Sequence, residues 1–276
     1  MEGLFTWCPV FLFMSRPPDL DVAAARAYFT QASSLSSWLH DEVSHRMAGR
    51  LSCLRELPRR WIDWADVCGG GRSPSEPTRV LGPRASAQEV WASGGQPAEL
   101  LWSNLQLQMA EEPMAWMHAW HQALSADGMV MFSTLGPDSF VELRRLYQKM
   151  GWGWPCQSFT DMHDWGDMMV ECGFSEPVMD VERIVLTYRS AEALWLDMRT
   201  LGRNASVRRF AGLRTPAWKQ AWLQAAHEHL THGPEEPLCL TLEIIQGHAV
   251  RGKDTARVQE ETHIDLQRMR RMLKGG

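Results

Sequence analysis

From residue 100 to residue 250 the chain alternates short apolar runs with stretches of helical period, and this alternation limits what it can fold into more than any other feature. Leu100, Leu101 and Trp102 make an apolar run of strand length. Met114, Met117, Trp120 and Leu124 then recur at helical spacing over 113–126, until Asp127 and Gly128 interrupt them. Residues 129–135 read as another strand, and Gly136, Pro137 and Asp138 open a helix that the pattern carries to Met150. A helix over 161–172 closes at Gly173, and the alternation of Val178, Asp180, Glu182, Ile184 and Leu186 predicts a long strand over 177–188. A helical insertion over 190–230 separates that strand from a last one at 238–250. The order favours an α/β fold with a parallel sheet and right-handed crossovers, in which ligands bind beyond the carboxyl ends of the strands.

The amino-terminal part is less regular. Over 21–57, Val22, Ala25, Tyr28, Phe29, Trp38, Leu39, Val43 and Met47 keep helical spacing, and Pro58 ends the pattern. Trp61, Ile62, Asp63 and Trp64 form a short strand, followed by Gly69, Gly70 and Gly71, a turn in which backbone can approach a ligand closely. Residues 72–96 are rich in Pro, Gly, Ser and Ala. The organisation expected is an extension at 1–20, helices at 21–57, a main domain at 58–250 shortened at 65–99, and a polar tail at 251–276. The apolar run at 4–14 is short, follows Glu2 and is broken by Pro9, so neither export nor spanning is expected, and the first thirteen residues are expected to pack nowhere.

With 276 residues, 45% of them hydrophobic, the chain can bury a sizeable core. A formal charge of -5, from 28 basic and 33 acidic residues, is too mild for a nucleic-acid coat or a polybasic membrane patch. The six cysteines include no C-x-x-C pair, which argues against a zinc site or a redox motif and for reduced thiols in a cytoplasmic setting. His118 with His121, and His227 with His229, find no nearby Cys, Asp or Glu that completes a metal set. The fourteen tryptophans sit at apolar positions of separate segments and read mainly as core.

Local sequence sharpens the fold. Leu101, Trp102, Ser103, Asn104 and Leu105, then Ala126 to Val130 with Phe132 to Gly136, resemble the fourth- and fifth-strand segments of BioC, the malonyl-acyl-carrier-protein O-methyltransferases of biotin synthesis. The resemblance continues through Asp161 to Asp164, Gly173 and Phe174, Pro177 to Asp180, Leu186 to Tyr188, Leu201 to Asn204, Gly212 to Thr215, Leu240 to Glu243 and Gly247 to Ala249. The methyltransferase-like assembly factors of respiratory complex I share part of the pattern less closely. The resemblance implies a Rossmann-like class I methyltransferase sheet, mostly parallel with a late antiparallel strand, plus a helical insertion before the last strand. It also implies S-adenosyl-L-methionine as methyl donor, with Asp63, Gly69, Gly70, Gly71 and Asn104 as donor-site residues, and malonyl-acyl carrier protein or malonyl-CoA as partner.

The amino-terminal half departs from the family. Three consecutive glycines after Asp63 keep flexibility but not the G-x-G-x-G spacing, and the family's tyrosine after the first helix has no counterpart between Phe29 and Leu39. The best match to the second strand, residues 79–83, places Gly82 where an acid normally accepts the ribose hydroxyls, which predicts weak donor binding.

Methyl transfer to a carboxylate is an in-line displacement by a group already ionised at neutral pH, so orientation can carry it and no catalytic base is expected. The carboxylate needs a cation or a donor, and arginine offers a bidentate fork. Arg203 and Arg214, in the insertion, are the candidate substrate contacts, against a reading as surface or ion-pair arginines of equal weight. Arg199, Arg203, Arg208, Arg209 and Arg214 concentrate charge that would suit an acidic carrier protein, or would form a solvated face. Two functions stay open: an active methyltransferase on the free carboxylate of a malonyl thioester, and a non-catalytic relative that keeps the carrier- or partner-binding surface.

Overall fold

The computed structural model describes residues 19–31, 37–68, 75–82, 84–85, 90, 95–201, 204–231 and 236–252. Its strands, β1 (Trp61–Asp63), β2 (Ala98–Ser103), β3 (Leu124–Leu135), β4 (Phe174–Tyr188) and β5 (Leu238–Arg251), form one sheet in the order β1-β2-β3-β5-β4. β1 pairs parallel with β2 and β2 with β3, while β5 is antiparallel to both of its neighbours, so β5 alone runs against the rest. This is the Rossmann-like class I methyltransferase arrangement with its late antiparallel strand. The helices are α1 (Val22–Gln31), α2 (Ser37–Leu51), α3 (Ala65–Cys68), α4 (Ser75–Leu81), α5 (Pro113–Ala123), α6 (Val141–Met150), α7 (Met162–Glu171), α8 (Ala191–Leu201) and α9 (Pro216–His229). The expectations for residues 1–18 and for the tail beyond 252 lie outside the described residues.

The apolar runs follow from a sheet covered on both faces. On β2, Leu101 packs with Met117 and Trp120 of α5 and with Trp165, Met168 and Met169 of α7. Its neighbours Leu100 and Trp102 point the other way, onto Leu39, Val43, Met47 and Leu51 of α2. β3 repeats the alternation, with Val130 and Phe132 on the first face and Met131 and Leu135 on the second. A further cluster joins Leu194 of α8 and Trp222 and Ala226 of α9 to Leu143 and Leu146 of α6, which anchors the helical insertion beside the carboxyl end of β3.

Two boundaries differ from the sequence pattern. β3 begins at Leu124, directly after α5, and absorbs residues expected to finish that helix; Asp127 takes a left-handed φ of 64° there. α6 begins at Val141 rather than Asp138, because the Asp138 N–H is captured by the Glu243 carboxylate at 2.8 Å and Phe140 adopts φ 60°. The helices expected over 21–57 are α1 and α2.

Residues 79–82, expected as the start of a strand, are not one. Arg79, Val80 and Leu81 belong to α4, and Gly82 ends it with φ 78°, its N–H bonded to the Thr78 carbonyl at 2.9 Å. Pro77 suits the first turn of a helix, and the apolar pair Val80 and Leu81 is too short to dictate a strand; Leu81 packs onto the α2 face instead. Gly82 and Ala85 both bond to β1: the Ala85 N–H donates to the Trp61 carbonyl at 2.8 Å and the Trp61 indole donates to the Gly82 carbonyl at 3.1 Å. Among the described residues the sheet therefore ends at β1. The expectation of weak donor binding that rested on a neutral Gly82 loses its basis, because Gly82 is a helix terminator and not a strand end.

Candidate functional site

Beyond the carboxyl end of β3 lies a cavity of about 390 Å³, bounded by α6, the 154–159 loop, α8 and the segment 204–218. The fold builds it from three sources. Leu135 and Phe140 come from the end of β3 and its turn, Leu143 and Tyr147 from the buried face of α6, and Trp195 and Met198 from one face of α8. Tyr28 of α1 closes another side, so the amino-terminal helix belongs to the wall. Trp152, Trp195 and Trp218 pack edge to face, with ring centroids 5.3 Å apart for Trp152 and Trp218 and 6.0 Å for Trp195 and Trp218.

The uncharged lining groups stay uncharged. Burial pushes the Cys156 thiol up to about 12, and it raises the Tyr147 phenol against the opposing pull of a Trp222 hydrogen bond and the Arg214 charge. The formal charges on the wall are Arg199, Arg209 and Arg214, and no Asp or Glu lines the cavity among the described residues. Arg214 is held by one carbonyl and two ring faces. It donates to the Trp152 carbonyl at 2.5 Å, and its guanidinium lies 3.8 Å from the Phe210 ring centre and 4.3 Å from that of Trp218. A guanidinium has five N–H donors, so one bond to a carbonyl leaves others for a ligand. Arg209 is held by Asp21 at 2.7 Å and by the Ser206 carbonyl at 2.8 Å. The chemistry suits an anion with an uncharged body.

Of the expected donor-site residues, Asp63 and Asn104 lie outside the cavity wall. Asp63 ends β1, is 1% exposed, accepts from the Ala65 N–H at 3.0 Å and faces Arg84 at 3.4 Å. Asn104 follows β2; its amide donates to the His40 carbonyl at 2.8 Å and its oxygen accepts from the Ser133 hydroxyl at 2.8 Å. Asn104 is therefore tied into the packing beneath the strand ends and is not among the cavity's lining residues. Gly69, Gly70, Gly71 and Arg203 lie outside the described residues. Of the expected substrate contacts, the structure places Arg214 on the wall. Trp154, Trp195 and Trp218, read from the sequence mainly as core, also line the cavity. Among the described residues no group of three His, Cys, Asp or Glu could hold a metal ion, and no helix is long and apolar enough to cross a membrane.

No family model matches the chain. It is 34% identical to a malonyl-[acyl-carrier protein] O-methyltransferase of Laribacter hongkongensis over 273 aligned positions, covering 84% of this chain and 90% of the relative. A protein of the same name from Methylovorus sp. is 36% identical, with 83% and 89% covered. Since 84% of 276 residues is fewer than 273 positions, the first alignment contains residues of the relative that have no counterpart here. A solved structure of a putative methyltransferase from Bacillus halodurans superposes with a TM-score of 0.45 at 10% identity, covering 75% of this chain and 98% of that one.

Proposed function

The chain belongs to the malonyl-[acyl-carrier protein] O-methyltransferase family, and we propose that it methylates the free carboxylate of a malonyl thioester borne on an acyl carrier protein, with S-adenosyl-L-methionine as donor. The observation that carries this reading is the cavity wall: among the described residues, three arginines and no carboxylate, set in an aromatic pocket beyond the carboxyl end of β3. Arg214, fixed by two ring faces and one carbonyl, offers its remaining donors to the carboxylate. A fork held in place before the ligand arrives loses little freedom on binding, so it orients the nucleophilic oxygen rather than merely attracting it. Aromatic surface against a bound carboxylate takes the place of part of its water shell, which strengthens the arginine contact.

A donor with a sulfonium methyl supplies the electrophile, and the carboxylate needs no base to attack it. The described residues do not complete a site for that donor. The polar atoms of Asp63 and Asn104 are engaged within the chain, and no described strand lies outside β1 to present a ribose acceptor.

The rim fits a carrier. Val207, Phe210 and Leu213 are exposed beside Arg208 and Arg209, and Leu213 at 96% exposure has no packing role within the chain. Apolar tips among arginines suit a small acidic protein with an apolar docking face. Malonyl-CoA shares the thioester and the carboxylate but lacks that face, and it should be the poorer substrate.

The test is incubation of the purified protein with malonyl-carrier and donor, reading the methyl ester by mass spectrometry, alongside calorimetric titration with S-adenosylhomocysteine. Methyl ester formed faster on the carrier than on malonyl-CoA is the expected result. Binding of S-adenosylhomocysteine without ester on either thioester would overturn the substrate. No binding and no ester would show a chain that keeps the acyl cavity without the transfer.

A further inference from the structure

We propose that Asp19, ahead of α1, is a positioning residue of the acyl cavity: its carboxylate fastens the 154–159 loop and the rim loop 204–210 in the one arrangement that shapes the wall. The inference rests on the reading of that cavity as the acyl site.

Asp19 is 3% exposed. Its Oδ1 accepts from the Ser158 N–H at 2.9 Å, and its Oδ2 accepts from the same N–H at 3.1 Å, the Arg208 guanidinium at 3.1 Å, the Ser206 hydroxyl at 3.3 Å and the Ser158 hydroxyl at 3.4 Å. Backbone bonds run alongside. The Val207 N–H donates to the Asp19 carbonyl at 2.8 Å, the Asp21 N–H donates to the Ala205 carbonyl at 2.7 Å, and Leu20 bridges antiparallel to Ser206.

Each loop held in this way carries cavity wall. Ser158 sits beside Gln157, which lines the cavity. Ser206 precedes Arg209 and Phe210, which also line it, and Arg208 lies 3.7 Å from the ring centre of the lining residue Trp154. A buried carboxylate is tolerated only when donors surround it, and here the donors come from both loops at once. Neither loop can leave without stranding the charge, so Asp19 makes their placement a joint event. The aromatic and cationic wall is then fixed before substrate arrives, which acts on substrate binding rather than on the transfer itself.

The experiment compares the full-length protein with Asp19→Asn, which keeps the size and removes the charge. One readout is the rate of tryptic cleavage after Arg208 and Arg209 below the melting transition, which needs no substrate. The other is the kinetic split with malonyl-carrier. Cleavage should rise about tenfold or more, and KM should rise about tenfold while kcat moves less than about threefold, as for the loss of one charged contact. If Asp19→Asn does not fold, Ser206→Ala, which removes one donor to Asp19 and the acceptor of the Arg208 N–H, should shift both readouts the same way by a smaller factor. An unchanged cleavage rate refutes the clasp. A loosened loop with unchanged KM refutes the positioning role, as does a fall in kcat that merely tracks the folded fraction. A parent protein without methyl transfer would count against the proposed function, and the cleavage rate would still decide the clasp.

Discussion

Adding one methyl group at Gly136 should both destabilise the protein and loosen the acyl cavity. Gly136 follows β3 and donates its N–H to the Glu243 carbonyl at 2.8 Å. A Cβ there would lie 2.8 Å from Glu243 Cδ and 2.9 Å from its Cγ, with the carboxylate oxygen closer still. Glu243 is 8% exposed and its carboxylate accepts from the Asp138 N–H, so it cannot swing aside without stranding both groups. Overpacking of this kind costs roughly 1–3 kcal/mol, and a displaced hydrogen bond to a charged group about 1.5–3 kcal/mol. One displacement causes both, so the sum overcounts, and a net loss of about 2–4 kcal/mol is expected for Gly136→Ala. At about 2–4 °C per kcal/mol for a chain of this class, Tm should fall by roughly 5–15 °C. Circular dichroism melts of Gly136→Ala, Glu243→Ala and the double variant decide the cause. In the Glu243→Ala background the added methyl should cost less than about 1 kcal/mol. An equal loss with and without Glu243 would falsify the steric account. The same turn holds Phe140 by its N–H bond to the Thr241 carbonyl at 2.7 Å, so KM for the thioester should rise with the loss of stability.

Three further outcomes follow from particular residues. Arg214→Met should raise KM for malonyl-carrier by roughly tenfold to a hundredfold with a smaller change in Tm, and Arg214→Lys should not restore it, since lysine lacks the planar fork; an unchanged KM removes Arg214 from the site. Gly247→Ala in β5 would set a Cβ 2.5 Å from the Phe132 ring and 2.6 Å from Met179 Sδ, and should lower Tm by several degrees through a cost of about 1–3 kcal/mol; a melt matching the parent's shows that the sheet yields there. Exposed Cys53 should react promptly with a thiol reagent at neutral pH, whereas buried Cys156, its thiol held up to about 12, should wait for unfolding. Because that folded value lies above the ordinary 9, the unfolded state loses the proton first. The contribution to stability is whole below pH 9 and is lost as pH rises toward 12, so alkaline melts of the parent should steepen with pH more than those of Cys156→Ala.

The strands were legible wherever both faces of the sheet are covered, because an unbroken apolar run such as Leu100 to Trp102, or residues 129–135, has few other places to go. β4 was legible for the opposite reason, its alternation marking one wet face. The segment 79–83 misled because Val80 and Leu81 satisfy a strand and a helix equally, and only contact with α2 decides between them. The late start of α6 was hidden because the competitor for the Asp138 N–H, Glu243, lies 105 residues away. In the candidate site, Arg214 was legible as a cation in the insertion. The aromatic sandwich around it and the fastening role of Asp19 were not, since both depend on segments that meet only after folding.

A narrow sheet is exposed to a hazard that a wider one shares less acutely: an open flank can recruit the flank of another molecule and start a fibre. The bonds that Gly82 and Ala85 make to Trp61 of β1 bear on this. With only three residues in that strand and the Trp61 carbonyl already bonded, the flank offers little for a neighbour to zip onto. The opposite flank, β4, is fifteen residues long and is guarded differently, by Pro177, by the register shift between Ser175 and Val178, and by the ion pairs of Asp180 with Arg50 and of Glu182 with Arg46. Among the described residues the two flanks of the sheet are thus guarded by unlike means, a short bonded strand at one and a proline, a register shift and ion pairs at the other.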